Sequence, residues 1–507
     1  MLSKVKSFGI NGIDGFIVDV EIDISKNMPG YVLVGLPDAS VKESKERVQS
    51  AIRNSGVMFP LGKVVINLAP ADMRKEGVVY DLPIALGILA AVGEIEPGKI
   101  DEFAFVGELS LTGEIRRING VLPILITAQQ LGIKKVVVPA ENAHEASFIE
   151  GVEVYTAENL VQVLKWDIRR VPVNSFESIK AASPESVDMK YVKGQYVAKR
   201  ALEIAAAGGH NILLIGPPGS GKTMLAKCFP TILPDLTFGE SIETTKIHSI
   251  AGTLDAAEGI IVHRPFRTPH HTASLVALAG GGTRSKPGEI SLAHNGVLFL
   301  DEMPEYPRPC LEMLRQPLED NKITISRVHA TVDYPASFTL IASMNPCPCG
   351  YFGSRTQRCK CRASDVVNYM SRLSGPLMDR IDLHIEVDSV TYDDLTANST
   401  EETSEAIKVR VDAARKVQLE RFQDSAVFSN AKMTTQQAKK FCALDKDGER
   451  TMREAFDKLQ MSARGYNRVL RVARTIADLD GSDAIKQEHV IEAVGYRCLD
   501  KKFTAMR

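Results

Sequence analysis

Residues 211–228 constrain this chain more than any other stretch. The apolar run NILLI leads into Gly216, Pro217, Pro218, Gly219, Ser220, Gly221, Lys222 and Thr223, and the helical pattern MLAKC follows. Strand, glycine-rich turn and helix in that order form a phosphate-binding loop. The glycines let backbone N–H groups turn inward around phosphate oxygens, and the helix N-terminus adds the positive end of its dipole. Lys222 is placed to reach the β and γ phosphates, and the Thr223 hydroxyl to ligate Mg²⁺.

Further on, GVLFL is an apolar strand that ends in Asp301 and Glu302. One acid there can hold Mg²⁺ (Asp301) while the next polarises an attacking water (Glu302), so ATP with Mg²⁺ is the expected ligand and hydrolysis the expected chemistry. A third strand pattern, FTLIASM, ends at Asn345, a polar side chain suited to orienting that water. Arg380 falls between a helix pattern and a strand pattern, where a fixed guanidinium can be presented to a neighbouring subunit's phosphate. Arg464, in the helical SARGYNRVLRVAR, is expected to reach the γ phosphate of its own subunit.

The chain of 507 residues is too long for one core, and its 44% hydrophobic and 24% charged residues fit neither disordered nor fibrous classes. A net charge of -2 neither requires nor excludes nucleic acid. The N-terminus lacks an apolar signal core, and the apolar run 82–92 is too short to span a bilayer, so a cytoplasmic protein with no membrane partner is expected. Residues 1–168 alternate Val/Ile-rich strand patterns with helical ones, and 169–190 is a polar linker. Residues 191–390 form a second α/β segment, and 391–507 is almost wholly helical in pattern, as a lid would be.

Four of the eight cysteines crowd together as Cys347, Cys349, Cys359 and Cys361. A hairpin can bring these thiolates to one tetrahedral Zn²⁺; four reduced structural thiols are the alternative. Two basic stretches are candidates for phosphate contacts with DNA: 322–329, with Arg327, and 263–271, whose Arg264, Arg267, His270 and His271 can equally pack within the protein.

The stretches GQYVAKRALEIAAAGGHNILLIGPPGSGKT, RPFRTPHHTAS, PGEISLAHNGVLFLDE, LRQPLEDNKITISR, MNPCPCGYFG and LSGPLMDRIDLHIEV resemble the magnesium-chelatase-like AAA+ ATPases of the ComM/YifB group, over nearly the whole chain. The resemblance implies an AAA+ core with a parallel sheet, a helical C-terminal lid and a homo-hexameric ring. It also implies Asn345 as sensor one, Arg380 as arginine finger, and Arg464, or alternatively Arg468, as sensor two. The stretch GELSLTGEIRRINGVLPILITAQQLGIKKVVVPAEN is similar to the Lon-type protease fold, which RadA-like recombination proteins also carry. The protease nucleophile position falls on Val79, and the position of its lysine near Leu122 and Pro123, so peptide hydrolysis lacks its first step. The family's competence member implies a DNA helicase or branch-migration motor in recombination or natural transformation. The alternative is a chelatase-type ATPase that drives metal insertion or remodels a protein partner.

Overall fold

The computed structural model describes residues 2–26, 28–176, 187–282, 286–326, 331–354, 357–389, 401–423, 425 and 427–497. The middle of the expected linker and the first residues of the expected lid lie outside these.

The N-terminal part is built on an eight-stranded mixed sheet. Its centre is the antiparallel pair Leu2–Asn11 and Asp14–Ser25, closed by a tight turn at Gly12. Val18, Val20, Ile22 and Ile24 alternate inward, the period-two pattern of a half-buried strand. The helix Asp81–Val92 is apolar all round, and eleven of its twelve residues are buried. Arg47 pairs with the buried Asp81 at 2.6 Å and neutralises it there.

The second sheet has five parallel strands in the spatial order Phe266–Arg267, Val297–Leu300, Thr339–Met344, Ile212–Ile215, Leu383–Glu386. The three strands Ile212–Ile215, Val297–Leu300 and Thr339–Met344 are almost wholly buried, as expected for a sheet covered on both faces. Because the strands are parallel, every connection returns to the same end. The loops after residues 215, 300 and 344 therefore emerge side by side, where sheets of this type bind ligands.

The opposite end of the sheet is tied by Asn211. Its carbonyl accepts from the amides of Asp382 and Leu383, its Nδ2 donates to the Arg380 carbonyl at 3.0 Å, and its Oδ1 accepts from the Leu340 amide at 2.9 Å. One side chain thus joins three strands at their amino ends.

The C-terminal helices do not form a core of their own. Ser404–Arg421 and Ala463–Leu479 pack on the helix Tyr196–Gly208, and all three share one apolar cluster with the sheet. The charged face of Ser404–Arg421 hides a narrow stripe of Ile407, Val411, Ala414 and Gln418. The N-terminal sheet docks on the helix Phe238–Ala251, where Ser249 donates to the buried Glu145 and accepts from the Gly120 amide at 3.0 Å. Among the described residues no helix is long and apolar enough to cross a membrane.

Asn211→Ala leaves the Leu340 amide and the Arg380 carbonyl without this partner, so it should cost roughly 1–3 kcal/mol in urea unfolding. An unchanged midpoint and slope would show that the tie contributes nothing.

Candidate nucleotide site

Gly216 follows the Ile212–Ile215 strand so closely that an added Cβ would stand 2.3 Å from the Val387 carbonyl oxygen, which leaves no room for a side chain. Gly221, at φ 90°, turns the loop through left-handed backbone and caps the helix Lys222–Cys228. The Lys222 ammonium curls back under the loop and donates to the carbonyls of Gly216 at 2.7 Å and Pro217 at 2.9 Å, and to Asn345 Oδ1 at 3.3 Å. Burial pulls its pKa below the ordinary lysine value, while Asp301 and Glu302 act against that.

Thr223 Oγ1 donates to Asp301 Oδ2 at 3.0 Å, so a hydroxyl and a carboxylate stand side by side beneath the loop. They offer the hard oxygen ligands that Mg²⁺ takes. The other Asp301 oxygen accepts from the Ser343 hydroxyl and from the Glu302 amide at 3.1 Å. Glu302 has φ 51°, uncommon for a residue with a side chain, and that backbone turns it out of the strand line. Its carboxylate is exposed and lies 3.9 Å from His271 Nδ1. The candidates Lys222, Thr223, Asp301, Glu302 and Asn345 thus gather at the carboxyl end of the sheet.

Arg380 and Arg464 are not there. Arg380 is only 6% exposed; it donates to the Pro376 carbonyl at 2.6 Å and pairs with Glu319 at 2.6 Å. Arg464 lies 3.8 Å from the same Glu319 oxygen, and Arg468 lies 3.5 Å from Asp382. The Arg380 bond holds the Glu319 carboxyl below its ordinary value. Since Asn211 bonds the Arg380 carbonyl, this group stands at the amino end of the strand that leads to the loop. From Asn211 to Gly216 is roughly 16 Å along that strand. The expected contact of Arg464 with its own subunit's γ phosphate therefore finds no support: packing on the helix Tyr196–Gly208 carries it to the far end of the sheet.

Sequence reasoning missed Ser343, Glu319 and Gln195. Ser343 precedes Asn345 by two residues and so shares its strand face, a signal that was available. Gln195 braces the loop from outside, donating to the carbonyls of Ser220 at 3.3 Å and Asp388 at 2.8 Å. Arg264 donates to the carbonyls of Pro234 and Asn295, and Arg267 grips Glu289 through two bonds of 2.6 and 2.7 Å. Both are thus engaged within the protein, which is the packing alternative. Arg327 and His329 lie outside the described residues.

The four clustered cysteines do meet. Cys347 Sγ lies 3.4 Å from Cys349 Sγ and 3.7 Å from Cys359 Sγ, Cys349 and Cys359 are 3.6 Å apart, and all four sulfurs lie within 4.8 Å of one another. Backbone N–H groups of Lys360 and Tyr351 pull the Cys349 thiol down to about 6. A set of four convergent sulfurs suits Zn²⁺.

On the N-terminal sheet, Val78 and Val79 line a cavity of about 1220 Å³ that reaches Val332 and Tyr334 of the core. Among its described lining residues there is no Ser, Thr or Cys. Leu122 and Pro123 are buried.

The parallel sheet and its loop define a P-loop nucleotide protein with the AAA+ strand arrangement. The family described as Magnesium chelatase, subunit ChlI matches residues 188–395. Subunit ChlI of Mg-chelatase matches 20–142, and the ChlI C-terminal family matches 401–497. The chain is 41% identical to Competence protein ComM of Haemophilus influenzae over 98% of each chain. It is 43% identical to the uncharacterized protein YifB of Escherichia coli, over 99% of this chain and 98% of that one. A segment covering 24% of the chain is 33% identical to Lon protease 2 of Bacillus subtilis, over 22% of that protein. The chain belongs to the ComM/YifB group of magnesium-chelatase-like AAA+ ATPases, with a Lon-like N-terminal part and a helical C-terminal region.

Lys222→Ala should lower ATP hydrolysis on the order of 10²-fold or more, while Glu302→Gln should hydrolyse as poorly yet retain bound nucleotide. Ser343→Ala, which frees one Asp301 oxygen, should raise the Mg²⁺ concentration for half-maximal turnover roughly 10-fold. A phosphate-release assay across a Mg²⁺ series reads the three rates, filter binding of labelled ATP reads the nucleotide held by Glu302→Gln, and wild-type turnover in Lys222→Ala would refute the site.

Proposed function

We propose that this chain is a DNA motor: a cytoplasmic ring of six subunits that hydrolyses ATP to move branched or single-stranded DNA in recombination or natural transformation. One observation carries the reading. Arg380 and Arg464 gather on Glu319 at the end of the Ile212–Ile215 strand that points away from the chain's own Lys222 loop. From that position a guanidinium meets a nucleotide phosphate only across a subunit boundary, as ring ATPases require.

In this account Lys222 and the loop amides hold the β and γ phosphates. Mg²⁺, held by Thr223 and Asp301, neutralises charge on those oxygens when bound. Glu302 polarises the attacking water and Asn345 orients it. Arg380 and Arg464 of the next subunit meet the charge that develops on the γ phosphate, so Arg464 acts in trans rather than in its own subunit. Cys347, Cys349, Cys359 and Cys361 hold one structural Zn²⁺, whose four protein ligands leave no position for water.

The DNA reading draws on near full-length similarity to a protein named for competence and on the basic sequence 322–329, of which Lys322–Ser326 pairs with Thr331–Pro335. The family description supports the alternative, a chelatase-type ATPase acting on metal insertion or on a protein partner.

Synthetic three-way and four-way junctions separate the two: strand exchange that needs ATP supports the motor, and an ATPase indifferent to all DNA contradicts it. Arg380→Ala should bind ATP almost normally yet lose most hydrolysis, and mixing it with Lys222→Ala subunits should restore part of the activity. No rescue in mixtures shown to co-assemble would place Arg380 in its own subunit's chemistry or in the fold. Metal analysis of protein purified without added metal should find about one zinc per chain, and a folded, active, metal-free chain would favour simple thiols.

A further inference from the structure

The cysteine hairpin touches the nucleotide site at two points. Cys347 follows Asn345 by two residues, and Asn345 accepts a hydrogen bond from Lys222. Beyond it, Gly350 lies at φ 85°, its amide donating to the Cys347 carbonyl at 2.9 Å. A Cβ added at Gly350 would stand 2.5 Å from Cδ and 2.8 Å from Cγ of Pro218, inside the phosphate loop. The pyrrolidine ring is tied to the loop's own backbone, so it cannot swing aside as a flexible side chain would. Gly353, three residues on, offers a contrast: it has a similar φ of 77°, and nothing lies within 4 Å of its added Cβ.

Each route is short and stiff. One runs from Cys347 to the residue that receives the Lys222 ammonium, and the other from Cys349 to the loop's proline. Without a metal, thiols 3.4–3.7 Å apart hold one another through weak S–H contacts and through backbone N–H groups such as that of Cys349, which donates to Cys361 Sγ at 3.4 Å. A zinc ion at their centre replaces these with four bonds of about 2.3 Å.

We propose that the four-cysteine cluster is the outer wall of the nucleotide site, pressing Gly350 against Pro218, so that ATP affinity depends on the metal the cluster holds. This inference rests on the zinc reading given above. Gly350 is a positioning residue, acting on nucleotide through Pro218 and not by contact with it.

Full-length protein titrated with a fluorescent ATP analogue tests the proposal, with zinc content and melting temperature measured on the same samples. Gly350→Ala should keep its zinc and bind nucleotide at least tenfold more weakly, while Gly353→Ala, with like backbone strain and no contact, should stay within twofold of wild type. Wild-type protein stripped of zinc and shown by circular dichroism to be folded should weaken to a similar degree, and added zinc should restore it; this arm decides the matter if Gly350→Ala does not fold. Zinc-loaded Gly350→Ala with wild-type affinity, or stripped folded protein with unchanged affinity, overturns the inference alone. A chain that neither carries nor takes up zinc overturns the zinc reading along with it.

Discussion

A parallel sheet has two unlike ends, and one short strand, Ile212–Ile215, sets what each end holds. Its carboxyl end feeds the phosphate loop, with Asp301 and Asn345 delivered by the two strands to one side. Its amino end is tied through Asn211 to the backbone of Arg380. Because the ladder runs in one direction, the phosphate loop and the Arg380 backbone stand at opposite ends of this strand, which spans roughly 16 Å from Asn211 to Gly216. In the proposed ring, each subunit carries one half of two different sites.

Electrostatics follow the same division. At the loop end, cationic Lys222 faces Asp301 and Glu302, and burial weakens its hold on its proton while the acids strengthen it. At the other end the guanidinium groups of Arg380 and Arg464 lie beside Glu319 and that of Arg468 beside Asp382. Burial opposes the charge on Asp382, but Arg468 and His210 still hold its carboxyl well below the ordinary value. Of the three arginines only Arg464 is well exposed, while Arg380 and Arg468 are largely buried beside their acids.

The parts legible in the sequence are those whose geometry is local. The loop from Gly216 to Thr223 carries its own turn residues, its strand and its helix within eighteen positions, and Asp301 follows a four-residue apolar strand directly. The cysteines were legible for the same reason, since all four fall within fifteen residues of sequence. Glu319 and Asn211 were not legible as functional, because each acts through a partner more than 40 residues away. The place of Arg464 beside Glu319 was not legible either. Its sequence context gives a helix, but which end of the sheet that helix covers depends on packing against Tyr196–Gly208. Arg264 and Arg267 read equally as DNA contacts or as packing until Glu240 and Glu289 appeared beside them.

The central claim is that a single chain carries no complete hydrolytic site. The most direct measurement is the ATPase rate per subunit across a dilution series at saturating ATP and Mg²⁺, with the assembly state followed in parallel by light scattering. The account predicts that the rate per subunit falls together with assembly and approaches zero for the monomer. A rate that stays constant after the protein has dissociated would mean that the Lys222 loop works without Arg380 of a neighbour, and would contradict it.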